Sequence, residues 1–349
     1  MNEPSDPPEI ETPIRSSLLT NVFAALARLA CLAVVLVTVA TLFARWFWVS
    51  DLLANLRTQQ WIAIVAVIAL CTMARQSRFA WIAAVCFMVQ FASLFAQLIP
   101  DPMTAPGGEP LLRVMTMNVL TSNRSYRRVL DEIREVDPDV VAILELSRGL
   151  DDFLTEQLST EYPHALTRPQ DQGNFGIGVY GKHPFASSDA FELNEYVKSI
   201  EVECLGYRLI ATHPLPPMGA RQFRSRNEHL HLLGERIHRA QKRAPEQPII
   251  VMGDLNVTPW SPHFGEFERR SGLRRARQGL AITPTWYAGG SRFPMGLVLD
   301  HILISRSLEC ASYRVGPDVG SDHRSVSVQL KRLPDGHAAR DGFSGQTPR

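Results

Sequence analysis

The sequence predicts a mixed α/β domain preceded by an all-helical apolar region. Two contrasts carry that reading. The first hundred residues hold six Arg, five Asp or Glu and no Lys, whereas the rest of the chain holds 30 Lys plus Arg and 30 Asp plus Glu. From Leu111 onward, short apolar runs alternate with helical patterns, as they do when strands and helices build one sheet-containing domain. The 349 residues leave room for a domain of about 230 residues behind the apolar region. Hydrophobic residues make up 45% and charged ones 20%, which excludes a disordered polyampholyte. The charge balance of the second part argues against affinity won by neutralising many phosphates, although an enzyme that grips a single phosphate remains compatible with it.

The N-terminal elements come first. Residues 1–20 form a polar tail, and residues 21–100 carry three apolar stretches: Val22 to Phe43, Trp61 to Ala74, and Phe79 to Pro100. A membrane span needs roughly 20 apolar residues. The first and third stretches reach that length; the second does so only if Asn55–Gln60 extends it, and is otherwise a re-entrant piece. The stretches are apolar all round, which predicts a transmembrane region of three helices rather than a soluble bundle. Trp46, Trp48 and Trp61 cluster where an interfacial belt would sit. With three spans, Arg15, Arg75 and Arg78 mark the inner side, Arg45 and Arg57 the outer. The expectation is a multi-pass protein of the cell (inner) membrane with its large domain on the extracytoplasmic side; two spans would reverse that side. Residues 101–111, rich in Pro and Gly, read as a linker, and residues 334–349 as a disordered tail.

Within residues 112–333 the elements follow in order. LLRVMTMNV and DVVAILE read as buried strands, with a helix from Ser125 to Val136 between them that Pro138 ends. GIGVY (Gly176–Tyr180), Ser199–Val202, Tyr207–Thr212, Pro248–Met252 and Val298–Ile304 read as further strands. Arg221 to Gln241 reads as a helix with Leu230, Leu233 and Ile237 on one face. The cysteines have no ligand spacing; pairing of Cys204 with Cys310 stays open.

Each apolar strand stops at, or starts from, a polar residue capable of chemistry. Asn118, Glu145, His213, Asp254 with Asn256, Asp300, and Asp322 with His323 all occupy such positions. Strand ends are where a rigid scaffold holds side chains around one crevice. The ordered set MTMNV, AILELS, GIGVYGKHP, ATHPLPP, VMGDLNVTP, LDHILIS and GSDHRSV resembles the endonuclease/exonuclease/phosphatase superfamily of DNase I-like nucleases, sphingomyelinases and inositol-polyphosphate phosphatases, over roughly Leu112 to Leu330. The resemblance implies an α+β, four-layer αββα sandwich and hydrolysis of phosphate esters.

That chemistry needs a hard cation, an activated water and stabilisation of phosphoryl charge. Mg²⁺, with Mn²⁺ as a substitute, prefers oxygen ligands; Glu145, completed by Asn118 and Asp322, is the expected ligand set. His323 is the expected general base or phosphate contact. Asp300 is expected to hold its ring, and His213 to bind phosphate or protonate the leaving oxygen. Asp254 and Asn256, two apart on an extended segment, face one side. Asp254 would order the water or protonate the leaving group, and Asn256 would donate to a non-bridging oxygen. His301 is expected to be structural, His183 a turn residue, and His229, His231 and His238 solvated. Asn174 and Arg221 are outer candidates for substrate contact. The basic stretch Arg269 to Arg277 reads as a solvated face. The expected function is a membrane-anchored phosphoesterase acting on nucleic acid, a lipid headgroup or a small molecule, with the bilayer as its other partner and no protein partner. The alternatives are a nuclease of the same class and a catalytically silent binding protein.

Overall fold

The computed structural model describes residues 14–98, 112–194, 197–276, 283–290 and 295–333. Its N-terminal helices are α1 (Ile14–Leu42), α2 (Trp48–Asn55), α3 (Arg57–Met73) and α4 (Ser77–Leu98). They meet through small residues: Ala27 and Cys31 of α1 pack with Cys71 of α3 and Ala83 of α4. Farther along, Val34, Ile64 and Cys86 form the same kind of seam. Gln90 donates a 2.9 Å hydrogen bond to Thr38 across it. The expectation of three spans is not supported among the described residues, where one helix, or two if the bent pair α2 and α3 counts as a single span, is long and apolar enough. Leu18–Leu42 is long and apolar enough to cross a membrane; the described apolar part of α4, Ser77–Phe91, is shorter. Arg57–Gln60 do extend α3 ahead of Trp61, but Asn55 ends α2, which is bent 73° from α3. The expected linker and C-terminal tail lie outside the described residues, as do residues 1–13 of the expected N-terminal tail; residues 14–20 of it are instead the start of α1.

Next along the chain come β1 (Leu112–Asn118), α5 (Tyr126–Val136), β2 (Val140–Leu144), α6 (Arg148–Leu158), β3 (His164–Arg168), β4 (Ile177–Gly181), β5 (Ser187–Glu192), β6 (Lys198–Cys204) and β7 (Tyr207–Ala211). The chain continues with α7 (Ala220–Arg243), β8 (Ile249–Asp254), α8 (Pro262–Ser271), the short β9 (Arg274–Arg275), β10 (Trp286–Tyr287) and β11 (Gly296–Leu297), then β12 (Asp300–Ile304), β13 (Leu308–Asp318) and β14 (Arg324–Arg332). One six-stranded sheet has the order β13-β14-β1-β2-β4-β3, the other β5-β6-β7-β8-β12-β9; β10 and β11 pair separately. Each large sheet contains one parallel pair, β1 with β2 and β7 with β8, among antiparallel neighbours.

Alternation along the strands sets the layers. Val114, Ala142, Val202, Leu209, Met252 and Ile302 point between the sheets into the central core. Met115, Met117, Val141 and Ile143 point the other way, onto Val129 and Ile133 of α5 and Leu150 and Leu154 of α6. Ile210, Val251 and Leu303 point onto Leu230 and Leu233 of α7 and Phe264 and Phe267 of α8. The result is the four-layer αββα sandwich of an α+β fold. Parallel pairing makes β1 and β2 end at one edge, as β7 and β8 do in the other sheet. Antiparallel β12 begins there, with Asp300 opposite Asp254.

Two expectations about the helices and their flanks change. His229 on α7 is buried, not solvated: its Nε2 lies 2.7 Å from Thr212 Oγ1 and its Nδ1 3.1 Å from Asn194 Oδ1. His231 and His238 are exposed. The basic stretch is largely paired within the protein rather than a free cationic face. Arg270 meets Glu235 and Glu266, Arg275 meets Glu268, and Arg274 donates to the carbonyl of Leu308. Arg277 lies outside the described residues. All five cysteines are free thiols.

Candidate active site

The strand ends open into a cavity of about 510 Å³ whose lining includes Glu145, His213, Asp254, Asn256, Asp322 and His323. Asn118 and Asp300 stand behind this wall, fully buried. The backbone that presents these groups is bent into the left-handed region: φ is +63° at Leu120, +57° at Glu145, +60° at Asn174 and +50° at Asn256. Non-glycine residues avoid that region at a cost of about 1–3 kcal/mol each, and such strain concentrates at functional sites. The Glu145 turn is held from below. The Leu146 amide donates to Gly176 O, and Leu146 O accepts from the Gln170 amide. A Cβ on Gly176 would stand 1.9 Å from Leu146 O, so only glycine fits there.

Asn118 ties the two sheets together. Its Nδ2 donates to Glu145 Oε1 at 2.9 Å and to Asp254 Oδ2 at 3.2 Å, while its Oδ1 accepts from the Leu120 amide. Glu145 Oε2 accepts from the Thr121 amide at 3.3 Å. Asp254 is the hub. Its Oδ1 takes the Asn256 amide at 2.9 Å, and its Oδ2 lies 3.3 Å from His213 Nε2 and 3.6 Å from His323 Nε2. Gly253, at φ +151°, lets this strand end press on the segment before His213: a Cβ there would lie 1.9 Å from Thr212 O. The His323 ring is oriented through Nδ1, 2.8 Å from Asp300 Oδ2, and the His323 amide donates to Ser321 Oγ. Asn256 Nδ2 donates to Pro214 O at 2.9 Å.

Charge follows from these contacts. Burial disfavours the protonated ring of His323, but Asp300 and then Asp254 outweigh it and push its pKa up to about 10. Burial likewise opposes a charged His213, and the hydrogen bond and charge of Asp254 raise it above the usual imidazole value. Burial works against the Asp254 carboxylate too, yet the two imidazoles and the Asn256 amide hold it down at about 2. The centre therefore holds a carboxylate between two cation-leaning rings.

A cation would find two sets of groups. The ligand atoms of Asp254, Asp300 and His323 lie within 4.8 Å of one another. These three are already joined as an acid–imidazole–acid chain, and a ring held protonated repels a metal ion. The oxygen set of Glu145 with Asp322 suits a hard cation better. Asp322 Oδ2 accepts from Trp286 Nε1 at 2.8 Å, leaving Oδ1 buried without a partner. An orphaned carboxylate oxygen on the wall shared with Glu145 fits the donor chemistry of Mg²⁺.

Several lining residues carried no signal in the sequence. Phe175 packs on His213 with ring centroids 5.6 Å apart, and Trp286 anchors Asp322. Leu52 and Asn55, from α2, line the same cavity. The outer candidate Asn174 lines it; Arg221 is not part of the lining, whereas its neighbour Gln222 is. His301 points away, its Nε2 2.9 Å from Val257 O and its ring on Phe264. His183 is an exposed residue next to Asp139.

Strand ends of both sheets of the αββα sandwich thus deliver carboxylates, amides and imidazoles to one cleft. The chain belongs to the Endonuclease/Exonuclease/phosphatase family, whose model matches residues 115–323. Among solved structures it is similar to the catalytic domain of human Nocturnin with bound sulfate, at 19% identity and TM-score 0.53, covering 65% of this chain and 96% of that one. It is similar to the 3′ phosphatase NExo from Neisseria bound to a product DNA hairpin, at 18% identity and TM-score 0.53, covering 63% and 99%. It is similar also to D. rerio TDP2 complexed with a single-strand DNA product, at 15% identity and TM-score 0.52, covering 64% and 100%. At these identities the likeness establishes the fold. No curated protein sequence matches the chain.

Proposed function

We propose that the protein is a membrane-anchored, divalent-metal-dependent phosphoesterase that hydrolyses phosphodiester bonds with an activated water. The observation that carries this reading is the gathering of Glu145, His213, Asp254, Asn256, Asp322 and His323 on the wall of one cavity, from strand ends in both sheets. Glu145 and Asp322, with Asn118 behind them, would hold the cation. Mg²⁺ or Mn²⁺ there would supply positive charge for the phosphoryl oxygens.

The side chains divide the remaining work. Asp254, kept anionic, orients the attacking water and takes its proton as the water oxygen bonds to phosphorus and the bond to the leaving oxygen breaks. His323, kept protonated by Asp300, donates toward a non-bridging phosphoryl oxygen, and Asn256 adds its amide. His213, which leans on the same carboxylate, donates a proton to the leaving oxygen. The cavity wall includes the apolar side chains of Leu52, Leu215, Pro217, Met218, Leu297 and Leu299 and the rings of Phe175 and Trp286. That wall suits a substrate with an apolar or aromatic group beside the phosphate. The two rings give a nuclease its own support, since bases stack on aromatic side chains.

The anchor reading rests on α1, whose large apolar side chains face outward. Leu26, Leu29, Leu32 and Leu36 are all more than half exposed, a patch that water does not tolerate over such a length. With both α3 and α4 spanning beside it, the region is a three-span anchor in the cell membrane, the count that puts the sandwich on the extracytoplasmic side.

Release of p-nitrophenol from bis-p-nitrophenyl phosphate, with and without EDTA, tests the hydrolase reading. Turnover should vanish with EDTA, return with Mg²⁺ or Mn²⁺, and fall about a thousandfold or more in Glu145→Ala and His323→Ala. Wild-type rates in both variants would end the assignment. A panel of single-stranded DNA, RNA, sphingomyelin and phosphoinositides then separates nucleic acid from lipid substrates.

A further inference from the structure

Helix α2 has an inverted pattern. Its buried residues are Ser50, Asp51, Ala54 and Asn55, whereas Val49 is exposed. A short helix that turns its polar face inward must find partners there, because an unpaired buried carboxylate or amide is costly. Asn55 Nδ2 stays within the helix, on the carbonyl and carboxylate of Asp51, and the other partners lie in the sandwich. Asp51 is fully buried, and so is Arg226 of α7, whose Nη2 donates to Asp51 Oδ2 at 2.6 Å. Ser261 Oγ donates to Asp51 Oδ1 at 2.6 Å. Asn55 Oδ1 accepts from both the amide and the hydroxyl of Thr258, at 2.7 and 2.8 Å. Arg226 also reaches Asn256, its Nη1 donating to the Asn256 carbonyl at 2.8 Å.

These bonds converge on one segment, the loop 255–261 that joins β8 to α8. It is gripped at Asn256, Thr258 and Ser261, and the grip starts at the residue whose φ is +50°, Asn256. From the sandwich side the same loop is held by the Leu255 amide on Leu299 O and by His301 on Val257 O. On its far face Leu52 and Asn55 close the cavity that Asp254 and Asn256 also line.

We propose that α2 is a working part of the active site: Asp51 and Asn55, acting with Arg226, are positioning residues that clamp loop 255–261 in its strained conformation, and Leu52 and Asn55 form a wall of the substrate cavity. The N-terminal region is then more than a tether, since the sandwich alone lacks one wall and half of the grip on the loop that carries Asn256. This deepens the hydrolase reading and rests on it only for the kinetic part of its test.

The test uses the full chain in detergent micelles. Asn55→Leu removes both bonds to Thr258 while keeping the ion pair. Asp51→Leu combined with Arg226→Met removes the pair without stranding a buried charge, so that the variant folds. Amide hydrogen exchange is followed over loop 255–261 and, as a control, over β1 and β8. Exchange in the loop should rise at least about tenfold in both variants with the strands unchanged, and kcat for bis-p-nitrophenyl phosphate should fall about tenfold or more, with a smaller change in KM. Arg226→Lys, which keeps a cation opposite Asp51, should return part of the loop protection. A folded double variant whose loop is as protected as in the wild type would overturn the clamp. If the wild type turns over no phosphodiester, the hydrolase reading fails, and the exchange comparison alone decides the clamp.

Discussion

Helices α1 and α7 solve opposite packing problems. Helix α7 buries Leu230, Leu233 and Ile237 against the second sheet and exposes charged residues. Helix α1 buries Ala24, Ala27 and Cys31 and turns Leu29, at 62% exposure, outward. In water the first pattern gains from hydrophobic burial and the second loses. In an apolar solvent the second is sensible, because close approach of small residues is then the main source of association. The two packing patterns suit different surroundings, and under the proposed membrane anchoring a substitution should act differently in each.

The sharpest way to break that comparison is truncation of a large side chain in each helix. Leu233→Ala should cost about 2–5 kcal/mol in denaturant unfolding, as buried leucines do. Leu29→Ala in detergent should stay within about 0.5 kcal/mol. Equal costs would abolish the distinction.

A second effect concerns the sandwich alone. Burial holds the His301 imidazole down at about 4 and that of His229 at about 3. A histidine depressed in the folded state contributes stability that is complete above its ordinary value near 6.5 and is lost as pH falls toward the folded value. Between pH 7 and pH 4 this loss should be on the order of 3 kcal/mol for His301. A denaturation midpoint that fails to drop, or a His301→Gln variant with the same pH slope, would contradict it.

Overpacking the seam between the helices is a smaller perturbation. Ala27→Leu, placed against Cys71 and Ala83, should cost about 1–3 kcal/mol and loosen α1 from its neighbours, read as faster proteolysis of the helical region in micelles. The smallest change is expected at His231→Ala. It removes an exposed pair with Glu235 and should shift stability by less than about 0.5 kcal/mol.

What the sequence made legible follows from the same physics. Strands such as VVAIL are buried on both faces, so they read as unbroken apolar runs, and the first polar residue after each stands out. That abrupt stop is why Asn118, Glu145 and Asp254 could be singled out before any coordinates. Edge strands offered no such contrast: β5, SSDAFE, is mostly exposed and lacks an apolar face. His229 was misread because the charged residues around it on α7 suggested solvent, whereas its partners Thr212 and Asn194 come from other parts of the chain. Helix α2 was hidden for a stronger reason. Its buried side is polar, and hydrophobic periodicity cannot detect a helix whose interior is made of an aspartate and an asparagine. Trp286 and Phe175 gave no warning either, since their roles arise only after the chain folds them beside Asp322 and His213.

The Asp51–Arg226 pair has a mechanical consequence. A sandwich hung on a slack peptide could swivel beneath its support. Here the joint is buried, directional and locked by several bonds at once, so the cleft keeps a set tilt relative to α2. Any rotation of the helices must either carry the cleft rigidly with them or first be felt at Leu52, where the joint and the cleft share a surface.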